Sequence, residues 1–340
     1  MNGSGRRPKA LLAFEPQRYR GALDSDVISR FRAILELALP EPVDSFSNPL
    51  VQTALGGVEV LVTGWGAPEV TREVLDRAPA LRLIAHVGGS VKGVIDQSAW
   101  ERGVTVTSAV AANAGPVAEY TLGAILLANK RAFELREAYR AARSDQRAVR
   151  ETAHDPGNYG KTIGIVGASH VGRRVIELLA PFDYTVLLYD PYVREDEARE
   201  LRVRLVGLDE LLSNSDVVSL HAPATAETRH MLDARRLALL RDGTVLVNTA
   251  RAALADEQAL IAELRSGRIT AVLDVTEPEP PAKDSPLYDL PNVFLTPHIA
   301  GAVGSERRRL FDAILAEIQR YVRGETLRHP VDAALLEHLA

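Results

Sequence analysis

The chain has no cysteine. Disulfides, thiolate zinc sites, iron–sulfur clusters and thiol nucleophiles are excluded together. Its eight histidines show no metal-ligand spacing such as H-E-x-x-H, so no metal is expected. Lysine is scarce beside arginine, and the arginines are scattered along helical stretches, where they read as solvated faces. The net charge is −5 with no basic block or arm, so a nucleic-acid partner is not expected. No run approaches the roughly eighteen apolar residues that span a bilayer, and no membrane partner is expected. Met1–Lys9 is polar and Ala10–Phe14 is too brief for a signal h-region, which makes a cytoplasmic protein the expectation.

What is present is ordinary for a globular protein: 340 residues, 46% hydrophobic and 25% charged. That length suggests about two domains. Short apolar runs alternate with helical patterns, the sign of βα units and parallel sheets. In the first half the strands read as Ala10–Phe14, Val58–Thr63, Leu81–Val87 and Val104–Thr107, with helices at Asp26–Leu37, Thr71–Arg77 and Gln97–Arg102. Asn113-Ala114-Gly115-Pro116 then opens a long helix to about Arg143, with Pro116 in the first turn where its missing N–H costs nothing. Ser144–Tyr159 reads as a loop. A second series follows at Thr162–Val166, Tyr184–Tyr189, Val217–His221, Thr244–Asn248, Ala271–Asp274 and Val293–Leu295. These runs lack clean alternation, as strands covered on both faces do. A last helix, Ser305–Val322, places Leu310, Ile314, Ile318 and Tyr321 on one stripe.

The strand Thr162–Val166 leads into Gly167-Ala168-Ser169-His170-Val171-Gly172 and then a helix, the setting a dinucleotide fingerprint requires. Gly167 allows the sharp turn, and Gly172 lets helix approach strand. Backbone N–H groups at the helix start, among Ser169, His170 and Val171, meet the pyrophosphate. The second glycine of the fingerprint is replaced by Ser169, whose Cβ crowds the pyrophosphate modestly and whose hydroxyl can donate to it. Asp190, followed by Pro191, ends the next strand; a carboxylate there accepts from the ribose hydroxyls and repels a 2′-phosphate, which favours NAD. Arg194 lies close enough to weaken that selectivity.

Three further segments end in chemistry-bearing residues: Val247–Arg251, Asp274–Pro280 and Leu295–Gly301. One cation, one carboxylate and one histidine, each at a strand end, are the minimum for reducing a 2-oxo acid. Arg251 is the cation that grips the carboxylate, and His298 is the proton donor. Glu279 accepts from the second ring nitrogen, orienting His298 and favouring its protonated form. Glu277 competes with Glu279 for that place. The three segments stand in the order and spacing of the D-2-hydroxyacid dehydrogenase family, which the chain resembles over nearly its whole length.

The resemblance implies two Rossmann-like α/β domains with parallel sheets and a cleft between them. Residues 1–113 and 302–340 would form a discontinuous substrate domain around a dinucleotide-binding domain of 114–301. It picks Glu279 over Glu277 by spacing. It implies NAD as cofactor, met by His221, Ala222 and Pro223 on the adenosine side, with Asp274 at the nicotinamide carboxamide and Thr249, Ala250 and Gly301 nearby. It implies a substrate-carboxylate loop at Gly89, Ser90, Val91 and Lys92, with Trp65 as a pocket wall, and a homodimer. Two departures stand out. Ala252-Ala253 replaces the glycines that commonly follow the arginine, and Lys92 replaces an acidic or amide residue, putting a cation near the pocket. A second cation favours a substrate with a second anionic group. Two rivals share the fold. A formate dehydrogenase pairs its histidine with glutamine, which Glu279 argues against, and an NAD-sensing corepressor can retain the same triad.

Overall fold

The structure, a computed structural model, describes residues 6–143, 146–153 and 155–333. Two compact units emerge: the chain up to Ala114 together with the segment from Ala302, and Gly115–Gly301.

The first unit is built on β1 (Lys9–Ala13), β2 (Glu36–Leu37), β3 (Val60–Gly64), β4 (Leu83–Val87) and β5 (Thr105–Ser108). They pair in the order β2-β1-β3-β4-β5, every pair parallel. Every residue of β3 and β4 is buried, as expected of strands with layers on both faces. One face is closed by the helix Arg307–Val322, which lays Leu310, Phe311, Ile314 and Ile318 against Phe14, Tyr19 and Phe31. Each such fully buried side chain contributes about 1.5–3 kcal/mol, which is how a segment remote in sequence is held to the unit. Tyr321, on the same stripe, is only partly buried.

The second unit carries β6 (Thr162–Val166), β7 (Thr185–Tyr189), β8 (Arg204–Leu205), β9 (Val217–Leu220), β10 (Val245–Asn248), β11 (Thr270–Leu273) and β12 (Val293–Leu295). Their order, β12-β11-β10-β9-β6-β7-β8, is the doubly wound dinucleotide-binding order, again all parallel. In each unit the strand order reverses once, between β1 and β3 in the first and between β6 and β9 in the second. Ligands of open α/β sheets bind outside the carboxyl ends of the strands at that reversal.

Several boundaries differ from the sequence reading. The long helix starts at Val110, so Pro116 lies inside it and forfeits one i→i−4 hydrogen bond, rather than sitting free in the first turn. It ends at Asn129, and a second helix runs Ala132–Ala142. Between them Arg131 adopts a left-handed φ of 53° and reaches the Gly243 carbonyl with its guanidinium. A tertiary contact makes this corner, with no glycine or proline to announce it. The segment read as a loop contains a helix, Gln146–Glu151, although Ser144, Asp145 and His154 lie outside the described residues. Glu36 and Leu37, read as helical, pair with β1 instead; the Glu36 N–H donates to the Pro8 carbonyl at 2.9 Å. Val110–Asn129 also reaches the length and mean hydropathy (1.2) of a membrane span, against the expectation that no segment would.

Candidate active site

In the second unit the fingerprint turn lies at the reversal between β6 and β9. Gly167 has φ +97°, and a Cβ there would stand 2.6 Å from the Ala222 nitrogen. A Cβ on Gly172 would overlap the Gly167 carbonyl. Only glycine fits at these two positions. Ser169 is extended (φ −64°, ψ 179°) and needs no glycine; its Oγ accepts from the Gly172 N–H at 3.3 Å, capping the helix His170–Leu179. His170 is exposed and Val171 partly buried in the first helical turn. Asp190 Oδ2 accepts from the Ala168 N–H at 2.7 Å and Oδ1 from the Tyr192 N–H at 2.8 Å, so this carboxylate braces the turn. Pro191 is exposed beside it. Arg194 is held in a two-pronged pair with Asp196, both distances 3.1 Å. The residues present therefore fit a dinucleotide: two glycines let strand, turn and helix close tightly at the sheet reversal, and a carboxylate stands at the end of the next strand.

His221, at the end of β9, is buried, with Nε2 2.9 Å from Ser219 Oγ and no partner for Nδ1 among the described residues. Burial pushes its pKa down to about 3, so the ring is neutral and carries no proton chemistry. Ala222 is buried and Pro223 partly so. After β10, Thr249 Oγ1 meets Thr121 Oγ1 at 2.9 Å, and the Ala250 N–H is taken by Asn248 Oδ1 at 3.1 Å.

Arg251 follows directly, and its Nη1 donates to the Ala250 carbonyl at 2.7 Å. Burial lowers its pKa, and the Glu279 carboxylate opposes that shift. Ala252 and Ala253 sit in a short 3-10 turn without positive φ, so the replaced glycines leave no strain. Glu279 Oε1 accepts from His298 Nδ1–H at 2.7 Å. Glu277 pairs instead with Arg229 at 3.3 Å. The carboxylate on the histidine is Glu279.

What holds His298 is Asp274. Its buried carboxylate accepts from Thr296 Oγ1 at 2.6 Å, the Ile299 N–H at 2.8 Å and the Ala300 N–H at 2.8 Å. Three of about four acceptor positions are thus spent on the turn, leaving little of the carboxylate for a carboxamide. Thr296 in turn receives the Tyr120 hydroxyl at 2.7 Å. His298 itself has φ +55°, a left-handed conformation uncommon outside glycine. The sequence reading missed Tyr120 and Thr296; the only available signal was that Thr296 precedes the Pro-His pair. Gly301, partly buried, closes the turn. Glu279 and His298 line a cavity of about 1120 Å³ with Phe133, Tyr288, Phe294 and Thr296.

In the first unit the loop after β4 leaves the Gly89, Ser90 and Val91 N–H groups without an acceptor among the described residues. Consecutive free N–H groups make an anion-binding concavity. The Val91 side chain is buried in the core, so only its backbone can face a ligand, and Lys92 is exposed. Trp65, at the carboxyl end of β3, stacks on Tyr19 with ring centroids 5.6 Å apart.

The doubly wound sheet, its glycine-cleared turn and the histidine–carboxylate pair at the strand ends are those of a dinucleotide-dependent dehydrogenase. Residues 122–300 match the family described as D-isomer specific 2-hydroxyacid dehydrogenase, NAD binding domain. The chain is 35% identical over 277 residues to D-3-phosphoglycerate dehydrogenase of Methanocaldococcus jannaschii, covering 81% of this chain and 52% of that one. It is 33% identical over 256 residues to hydroxypyruvate reductase of Thermotoga maritima, covering 74% and 81%. The crystal structure of a phosphoglycerate oxidoreductase from Rhizobium etli matches with TM-score 0.79 and 25% identity over 96% and 98%. The chain belongs to the D-isomer-specific 2-hydroxyacid dehydrogenases, oxidoreductases that use a nicotinamide dinucleotide. It spans about half the length of the D-3-phosphoglycerate dehydrogenases it matches.

Proposed function

We propose that the protein is an NAD-dependent reductase of 2-oxo acids to D-2-hydroxy acids, working also in reverse. The observation that carries this is the His298 turn. Its backbone is strained, and its ion pair with Glu279 is about half exposed (48% and 46%), so the pair adds little stability. A buried carboxylate nevertheless holds the turn in place. Strain maintained at such a position is expected of a working site.

When bound, the dinucleotide supplies or accepts the hydride at the substrate's C2. Glu279 fixes the tautomer, leaving His298 Nε2 to give the proton to the C2 oxygen during reduction or take it during oxidation. Arg251 holds the substrate carboxylate and stabilises the charge developing on that oxygen; its partial desolvation strengthens both effects. Asp190, with Arg194 neutralised by Asp196, supports NAD over NADP. Turnover of NADH with glyoxylate, pyruvate, hydroxypyruvate and oxaloacetate is expected, with NADPH binding at least tenfold weaker in a fluorescence titration. Equal affinity for the two dinucleotides would overturn the NAD assignment. Tight NADH binding with no turnover on any 2-oxo acid would favour a dinucleotide-sensing protein.

A homodimer is part of the same reading. Only 39% of the most apolar stretch of Val110–Asn129 is buried within this chain, and Leu127 is 49% exposed. The neighbouring helix Ala132–Ala142 buries no residue and leaves Tyr139 open. A second copy would cover this apolar surface. Light scattering should give twice the chain mass, and a monomer at micromolar concentration would refute this.

A further inference from the structure

We infer that Trp65 and Arg307 form a second anion station beside the Gly89–Val91 loop, selecting short 2-oxo acids that carry a second carboxylate or a phosphate. This rests on the 2-oxo acid reductase reading and adds the substrate's charge to it. All of the residues belong to the first unit.

The station stands where the sheet order of that unit reverses, between β1 and β3, at the carboxyl ends of the strands. Trp65 is rigid there. Its ring is parallel to Tyr19 within 10°, its backbone N–H donates to the Tyr19 hydroxyl at 2.7 Å, and that hydroxyl donates to the Val87 carbonyl. The indole Nε1–H has no acceptor among the described residues and faces Gly88, 3.3 Å from where a Cβ would stand. Such a Cβ would also overlap the His86 ring, so only glycine lets the backbone at position 88 pass this close to both rings. One further donor thus lies beside Gly88, the residue that leads into the loop whose three N–H groups have no acceptor among the described residues.

The cation comes from the helix Arg307–Val322. The Arg307 guanidinium lies over the Trp65 ring at 5.7 Å and is partly buried. Its single hydrogen bond among the described residues is a long one, Nε to the Ala302 carbonyl at 3.3 Å. Among the described residues no carboxylate pairs with it, whereas Arg308 beside it is shared between Asp24 and Asp26. The acid nearest the Trp65–Gly66 corner, Glu15, is already paired with Arg18 at 2.7 Å. A partly desolvated arginine without a counter-ion, docked on an aromatic face, is suited to receive an anion. In the sequence Arg307 sits within an arginine triplet that reads as a solvated face, and Lys92 was the cation that drew attention. The structure favours Arg307 because Lys92 is exposed.

The test compares kcat/KM for oxaloacetate and 3-phosphohydroxypyruvate with that for glyoxylate, and measures malonate and acetate binding by calorimetry in the same proteins. Wild type should prefer the dianions and bind malonate more tightly than acetate, with the advantage shrinking as salt rises. A fall limited to one dianion shows whether the second group is carboxylate or phosphate. Arg307→Met should reduce the dianion-to-glyoxylate ratio about ten- to hundredfold, the value of a charge-assisted hydrogen bond. Arg307→Lys should recover part of it. Trp65→Phe keeps the stack and removes only the N–H, and should lower the same ratio less. An unaltered ratio and unaltered malonate affinity in a folded Arg307→Met protein overturn the station. If no 2-oxo acid is reduced but malonate binding still depends on Arg307, the station stands and the reductase reading fails.

Discussion

Replacing His298 with glutamine should lower turnover by about 10²–10⁴-fold, the usual value of general acid–base catalysis. NADH affinity should stay within about twofold, because the lost group acts on the substrate's oxygen and not on the dinucleotide. Glutamine can still reach Glu279 and occupy the turn, so the loss reports the proton and not the packing. Stability should barely move, since the side-chain pair is half exposed. The pH dependence supplies a second check. Reduction needs the imidazolium and oxidation the neutral ring, so reduction should be favoured at lower pH and oxidation at higher pH. Wild-type turnover in His298→Gln across the pH range would move the proton role to another group.

Acid should destabilise both units before any carboxylate matters. His86 is fully enclosed in β4, with Nδ1 3.0 Å from Thr63 Oγ1 and Nε2 without a partner among the described residues. Burial pushes its pKa down to about 4, and His221 in the other unit goes to about 3. A proton on either ring would create a buried N–H with no acceptor. The unfolded chain takes up these protons as pH falls through about 6.5, whereas the folded chain resists until about 4 or 3. Stability is therefore complete above about pH 6.5, declines as pH falls through that window, and levels off below the folded values. By pH 4.5 each unit should have lost roughly 2–3 kcal/mol, lowering the melting temperature by about 5–10 °C. Carboxylates held low by their partners, such as Asp24 and Asp96, respond only at lower pH. A melting temperature flat from pH 7 to 4.5 would contradict this, and His221→Asn should flatten the response of the Gly115–Gly301 unit alone.

Much of the molecule is legible in the sequence. The strands Thr162–Val166 and Val293–Leu295 fall where the apolar runs placed them, because short β-branched stretches between turn residues leave little freedom in register. Glu279 was separable from Glu277 only through the spacing of the family that the chain resembles, and in the structure its Oε1 lies 2.7 Å from His298 Nδ1. What stayed hidden was set by tertiary contacts. Nothing near residue 130 announces a corner, since Arg131 is held left-handed by a carbonyl far along the chain. Two-residue strands such as Glu36–Leu37 have no periodicity to read. Asp274 reads as a ligand contact or a cap, and only the three donors converging on it reveal a clamp. Arg307 reads in the sequence as one more surface charge, and only the structure shows its aromatic neighbour and its lack of a counter-ion among the described residues.

The return of the C-terminal segment to the first unit bears on how the protein is made. The residues Gly115–Gly301 leave the ribosome as one uninterrupted stretch and can complete their sheet while synthesis continues. The first unit, although translated earlier, waits for Phe311, whose ring closes on Phe14, Tyr19 and Phe31. Until the helix Arg307–Val322 has emerged, that aromatic cluster lacks its cover, so the unit translated before Gly115–Gly301 is finished after it.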